Sequence, residues 1–210
     1  ESTQKPENTW NVRMLNARRS RVFPVFINSV TLLMQDPRQT VYEGMCYLIP
    51  LAKIRETPKV QFHFVPYLVE EGIATIQRVK HEPGAMSPSI EGNETVQPWY
   101  MHPHQEDNMM VFEGERIIEL YTPEHGVQTF EATADRLTHN GKVLIDVPYI
   151  FGWHPYVFHR PNSPHGSMSM FLTRHFNGFD MDTEFNIWEL NTETGEHKVL
   201  RFGREDQVQE

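Results

Sequence analysis

The sequence predicts an all-β fold. Apolar residues come in many short runs rich in β-branched and aromatic types, and turn signals separate these runs at short intervals. No long helical period lies between them, and fifteen prolines and twelve glycines are spread along the 210 residues. Short strands at such spacing pack as a sandwich or close into a barrel.

Residues 1–20 are polar and charged without a steady period and read as an arm. Arg21 to Leu33 is densely apolar; its β-branched and aromatic content favours a strand over a helix. Asp36-Pro37 marks a turn. Val41 to Ile54 and Val60 to Val69 read as strands, with Pro66 confining the second to an edge or a bulge. In Gly72 to Lys80, Ile73, Thr75, Gln77 and Val79 share one face, and Ala74, Ile76 and Arg78 the other. Glu82-Pro83-Gly84 is a turn, followed by a polar loop from Ala85 to Gln97. Further strands are predicted over Trp99–His104, Met109–Glu113, Arg116–Tyr121, Val127–Ala132, Val143–Val147, Tyr156–His159 and Ser167–Phe176. Phe185 to Phe202 forms a hairpin around Thr194-Gly195. The chain thus divides into an N-terminal extension with added strands (1–70), a barrel (71–203) and an acidic tail (204–210).

Bulk properties narrow the function. A formal net charge of −9 repels phosphate backbones, and no basic run with interleaved aromatics offsets it, so no nucleic-acid partner is expected. No apolar run approaches the ~20 residues of a membrane span, and no signal pattern opens the sequence. The single cysteine, Cys46, lies in an apolar run and reads as a packed core residue; a reducing, cytoplasmic setting is the expectation.

The chemistry concentrates in Trp99 to Gly114. On a strand, His102 and His104 would project to the same side and take two adjacent positions on a transition metal. Glu106, Asp107 and Asn108 lie just beyond, where an oxygen ligand could come from. No nucleophile elbow, dinucleotide fingerprint or phosphate loop is present.

The order Pro83-Gly84, His102-x-His104, an acidic cluster and Gly114 resembles the first motif of the cupin superfamily. Gly141, Pro148 and Gly152-Trp153-His154 resemble its second motif. The likeness covers about half the chain, residues 70 to 175. It departs from the family in a longer gap before His102 and a shorter one from His104 to Gly114. The resemblance implies a double-stranded β-helix, a jelly-roll barrel similar to the RmlC-like cupins. It implies one divalent transition metal, with Fe(II) favoured and Zn, Mn or Ni as alternatives, held by His102, His104, Asp107 and His154. Asn108 and Glu106 compete with Asp107 for the oxygen position, and His159 is the alternative third histidine.

The function so implied is a dioxygenase acting on a small organic substrate, with Tyr100 or Glu106 moving protons. An isomerase or lyase on the same metal is the alternative, as is a non-catalytic cupin that binds a small ligand. Met109, Met110, Met168 and Met170 would form an apolar pocket wall if they point inward. The resemblance further implies a homodimer, with Val60 to Val69 as its candidate interface.

Overall fold

The computed structural model describes residues 37–65, 72–89 and 97–207. The strand expected over 21–33, the arm before it and most of the loop before Gln97 lie outside these residues. The described chain is almost entirely antiparallel β.

One sheet has six strands. They are β1 (Gln39–Tyr42), β2 (Cys46–Pro50), β13 (Tyr149–Trp153), β8 (Gln105–Gly114), β15 (Ser167–His175) and β5 (Ile73–His81), in that spatial order. The second sheet runs β12 (Lys142–Ile145), β11 (Leu137–His139), β10 (Gly126–Ala132), β9 (Arg116–Thr122), β14 (Phe158–Ser163), β7 (Trp99–Tyr100), β16 (Ile187–Leu190) and β17 (His197–Arg201). A two-residue strand, β6 (Ala85–Met86), also pairs with β14. This is a jelly-roll architecture: consecutive strands such as β8 and β9 alternate between the sheets, and distant segments become neighbours.

The pleat decides what each strand contributes. On β2, Cys46 and Leu48 join the core between the sheets with Met109, Ile118, Leu120, Phe130, Phe151 and Trp153. Tyr47 and Ile49 face outward and pack with Ile150, Leu172, Met110 and Met170. At β2 and β13 the six-stranded sheet is therefore buried on both faces, which explains why these strands read as continuous apolar runs. Cys46 is fully buried, and burial pushes its thiol pKa up to about 12.

Several boundaries differ from the sequence reading. The run from Val41 to Ile54 is broken by a turn at Glu43-Gly44 and again at Leu51 into β1, β2 and β3 (Ala52–Thr57). Glycine at 44 takes φ +65, which a continuous strand does not permit. β3 pairs with β4 (Val60–Phe64) in a separate hairpin. Two strands of the segment read as an extension, β1 and β2, add to the six-stranded sheet through β13. The Trp99–His104 strand stops at Tyr100, and residues 101–104 are irregular. A four-residue helix, α1 (Met181–Glu184), follows β15, capped by the Asp180 side chain.

Candidate metal centre

His102, Asp107 and His159 meet inside the barrel, all three buried, with one potential ligand atom from each lying within 4.8 Å of the others. Asp107 comes from β8 of the first sheet. His159 comes from β14 of the second, where it pairs in register with Tyr100. His102 comes from the irregular segment after β7, pinned where the Tyr156 amide donates to its carbonyl at 2.9 Å.

Hydrogen bonds set the direction of each ligand atom. The Nδ1 of His102 lies 2.7 Å from the Glu184 carbonyl oxygen, and that of His159 lies 3.1 Å from the Val157 carbonyl oxygen. A carbonyl only accepts, so each Nδ1 carries a proton, and each ring turns its Nε2 elsewhere. Both Nε2 atoms point at Asp107 Oδ2, each at 3.7 Å. The other carboxylate oxygen, Oδ1, accepts from Gln105 Nε2 at 2.8 Å.

The two Nε2 atoms and Asp107 Oδ2 thus face one another, too far apart to hydrogen-bond. Burial raises the Asp107 pKa, and burial together with the charge of His102 holds His159 well below its ordinary value. A divalent cation bound between them would satisfy all three. The 3.7 Å separations lie within twice the ~2.0–2.2 Å ligand distance of a divalent transition metal. Backbone carbonyls on the remote imidazole nitrogens and an amide on the carboxylate are the supports that metal ligands use. The residues fit a metal ion.

This group of three differs from the set of four expected from the motifs. His104 goes elsewhere: its Nδ1 lies 3.3 Å from Glu184 Oε2, its amide donates to Glu184 Oε1, and its ring packs on Gly178. The reason is local. Alternation holds only on a strand, and the chain leaves the strand at residue 101. His154 lies just past the end of β13, beside the outward face of the sheet, its Nδ1 3.5 Å from Glu106 Oε2 and its ring 5.1 Å from that of Tyr47.

The acid position follows the pleat of β8. Asp107 turns inward, while Glu106 and Asn108 turn outward. There Asn108 accepts from the Tyr47 hydroxyl at 2.8 Å, and Glu106 takes Arg38 at 3.1 Å and Arg174 at 3.3 Å. Burial alone would raise Glu106, but His154 and the two guanidinium groups outweigh it and hold the pKa down at about 2. Glu106 is thus an ion-paired carboxylate on the far side of the sheet from the cavity.

The cavity around the triad has a volume of about 200 Å³. Tyr100 lines it, its ring 6.0 Å from that of His102 and 5.9 Å from that of His159. Burial raises the Tyr100 pKa. Trp153, Phe171 and Phe185 supply apolar wall, and Gln77, His81, Gln105 and Arg116 supply polar wall. None of the four methionines lines it: Met109 packs in the core, and Met110 and Met170 pack outside the sheet. Sequence reasoning did not find the Glu184 carbonyl, Gln105 or Arg116. For Gln105 a signal existed, since it sits two residues before Asp107 on the same face.

No family model matches this sequence, and no curated protein matches it. Among solved structures, it is similar to a sugar 3,4-ketoisomerase from Thermoanaerobacterium thermosaccharolyticum in complex with TDP. The identity is 13% and the TM-score 0.45, over 67% of this chain and 85% of that one. A 4-keto-6-deoxy sugar epimerase from the novobiocin biosynthetic gene cluster of Streptomyces spheroides is similar at 14% identity and TM-score 0.43, over 68% of each chain. A recombinant oxalate oxidase in complex with glycolate is similar at 14% identity and TM-score 0.32, over 81% of this chain and 73% of that one.

Proposed function

We propose that this protein is a metal-dependent cupin enzyme acting on a small polar organic substrate by isomerase or lyase chemistry. The observation that carries the reading is the convergence of His102, Asp107 and His159 on one buried point. A divalent ion held there supplies Lewis acidity toward a substrate carbonyl or hydroxyl. Three protein ligands leave further positions for that oxygen.

The chain's own groups do the rest. The Glu184 and Val157 carbonyls fix both imidazoles, and Gln105 fixes the carboxylate. Tyr100 keeps its phenol proton at neutral pH, because burial raises its pKa, and is the group assigned to hand that proton to a substrate oxygen. Glu106, on the opposite face of its strand, is not assigned this role. Trp153 and Phe171 give the site an apolar wall.

The polar wall of Gln77, His81 and Gln105, with no methionine, favours a hydroxylated or carbonyl substrate over an aromatic ring. A second reading has its own support: two histidines and one carboxylate are the donor set of non-haem Fe(II) oxygenases, which makes a dioxygenase the runner-up. Pairing of two copies is assigned to the β3–β4 hairpin, which exposes Ile54 and Phe62.

Protein purified without added metal should carry about one equivalent of a divalent transition metal, and H102A or H159A should lose most of it. Less than about a tenth of an equivalent in the wild type would overturn the metal reading and leave a ligand-binding barrel. Metal-loaded protein given 2-hydroxyketones in D2O without oxygen should exchange hydrogen beside the carbonyl. Oxygen consumption without such exchange would transfer the assignment to the dioxygenase.

A further inference from the structure

The cavity that holds the metal centre also holds a charge that the centre does not use. Arg116 opens β9 with its side chain fully buried. Its Nε donates to Ser167 Oγ at 3.0 Å, while Nη2 has no partner. No carboxylate among the described residues pairs with it, and its guanidinium lies 5.8 Å from the Phe171 ring. The side chain lines the same cavity as His102, Asp107 and His159. A buried cation without a counter-ion is costly, and a protein that keeps one inside a cavity gains by having an anion arrive there.

The surroundings fix the charge of that anion. Ser163 Oγ lies 2.8 Å from Ser167 Oγ and 3.0 Å from His81 Nδ1, so a short polar chain backs the guanidinium. Burial, and then the charge of Arg116, pushes His81 down to about 4, so His81 is neutral at neutral pH. Arg116, lowered by burial to about 10, stays charged. This end of the cavity therefore carries a single positive charge. A carboxylate matches it; a phosphate dianion would leave one negative charge uncompensated beside Asp107.

We propose that Arg116 is the carboxylate-binding residue of this site and that the substrate is a hydroxy- or keto-carboxylic acid. Its oxygenated carbon would then meet the His102–Asp107–His159 group. That second clause rests on the metal reading; the first does not. The two ends are set by β14, on which His159 and Ser163 share the inward face, four residues or ~13 Å of strand apart. Arg116 and the His102–Asp107–His159 group line one cavity of about 200 Å³, which suits a substrate only a few carbons long.

The test uses isothermal titration of the full chain with lactate, 4-hydroxybutyrate and 6-hydroxyhexanoate, and with the neutral amide of each. At least one carboxylate should bind more tightly than its amide. R116M should weaken that carboxylate by about tenfold to a hundredfold, the change expected for a lost charged hydrogen bond, and leave the amide unchanged. R116K should recover part of the loss. The double variant H102A/H159A should lose metal and still bind the carboxylate, so failure of the metal reading and failure of the anion site give different results. Equal binding of every carboxylate and its amide to the wild type would overturn the proposal. So would undiminished carboxylate binding by an R116M variant that keeps the wild-type circular dichroism spectrum.

Discussion

Asp107 and Glu106 are adjacent acids with opposite fates. Glu106 is neutralised by arginines on the outer face, and Asp107 turns toward two imidazoles inside. D107N should therefore keep the fold and lose most of the bound metal, because an amide replaces the only anionic donor among the three; elemental analysis reads the result. Arg116 illustrates the conflict between stability and function at a single residue. R116M removes an uncompensated buried charge, so it should keep the fold and raise the melting temperature, measured by calorimetry in carboxylate-free buffer.

His81 makes the same region sensitive to acid. Its pKa is about 4 when folded against 6.5 unfolded, so below pH 6.5 the unfolded chain binds the extra proton. Stability is therefore full above pH 6.5 and falls as pH drops toward 4, by roughly 3 kcal/mol. Urea titrations of wild type and H81N across this window should show a shallower loss in the variant.

At the scale of elements, β13 is packed closely against β2. Gly152 sits opposite Tyr47 in the ladder, and a Cβ built there would lie 2.4 Å from the Tyr47 ring. That ring cannot swing away freely, since its hydroxyl is bonded to Asn108 and its face lies under the Arg38 guanidinium. G152A should cost about 1–3 kcal/mol by overpacking, measured by urea denaturation. The same strand carries Trp153 into the cavity wall, so displacing it should also alter tryptophan fluorescence. β5 behaves more simply: the alternation of Ile73, Thr75, Gln77 and Val79 against Ala74, Ile76 and Arg78 appears in its burial pattern residue by residue.

At the scale of the whole molecule, the barrel holds the site by joining its two sheets. Asp107 and His159 belong to different sheets, so a bound ion ties the sheets together. Adding Zn, Mn or Fe(II) to metal-free protein should raise its melting temperature. At a hundredfold excess over Kd the gain is about 2.7 kcal/mol. A chelator should reverse the shift, and H102A/H159A should not show it. Among the described residues, no helix is long and apolar enough to cross a membrane.

The sequence by itself carried the all-β class, most strands of the barrel and the neighbourhood of the site. Those features depend on local rules: a two-residue period, turn chemistry and the density of histidine and acid around Trp99 to Gly114. It also offered His102 and Asp107 as candidate ligands, with Asn108 or Glu106 as rival oxygen donors and His154 or His159 as third histidine. Tertiary structure brings Asp107 and His159 to His102. Where a strand stops determines whether His102 and His104 point together, and a break at residue 101 separates them. Which acid faces inward depends on the register of β8 between β13 and β15, and that register is fixed by long-range pairing. The pairing of His159 with Tyr100 and the meeting of Arg116 with Ser167 join residues 59 and 51 positions apart, beyond the reach of any local pattern.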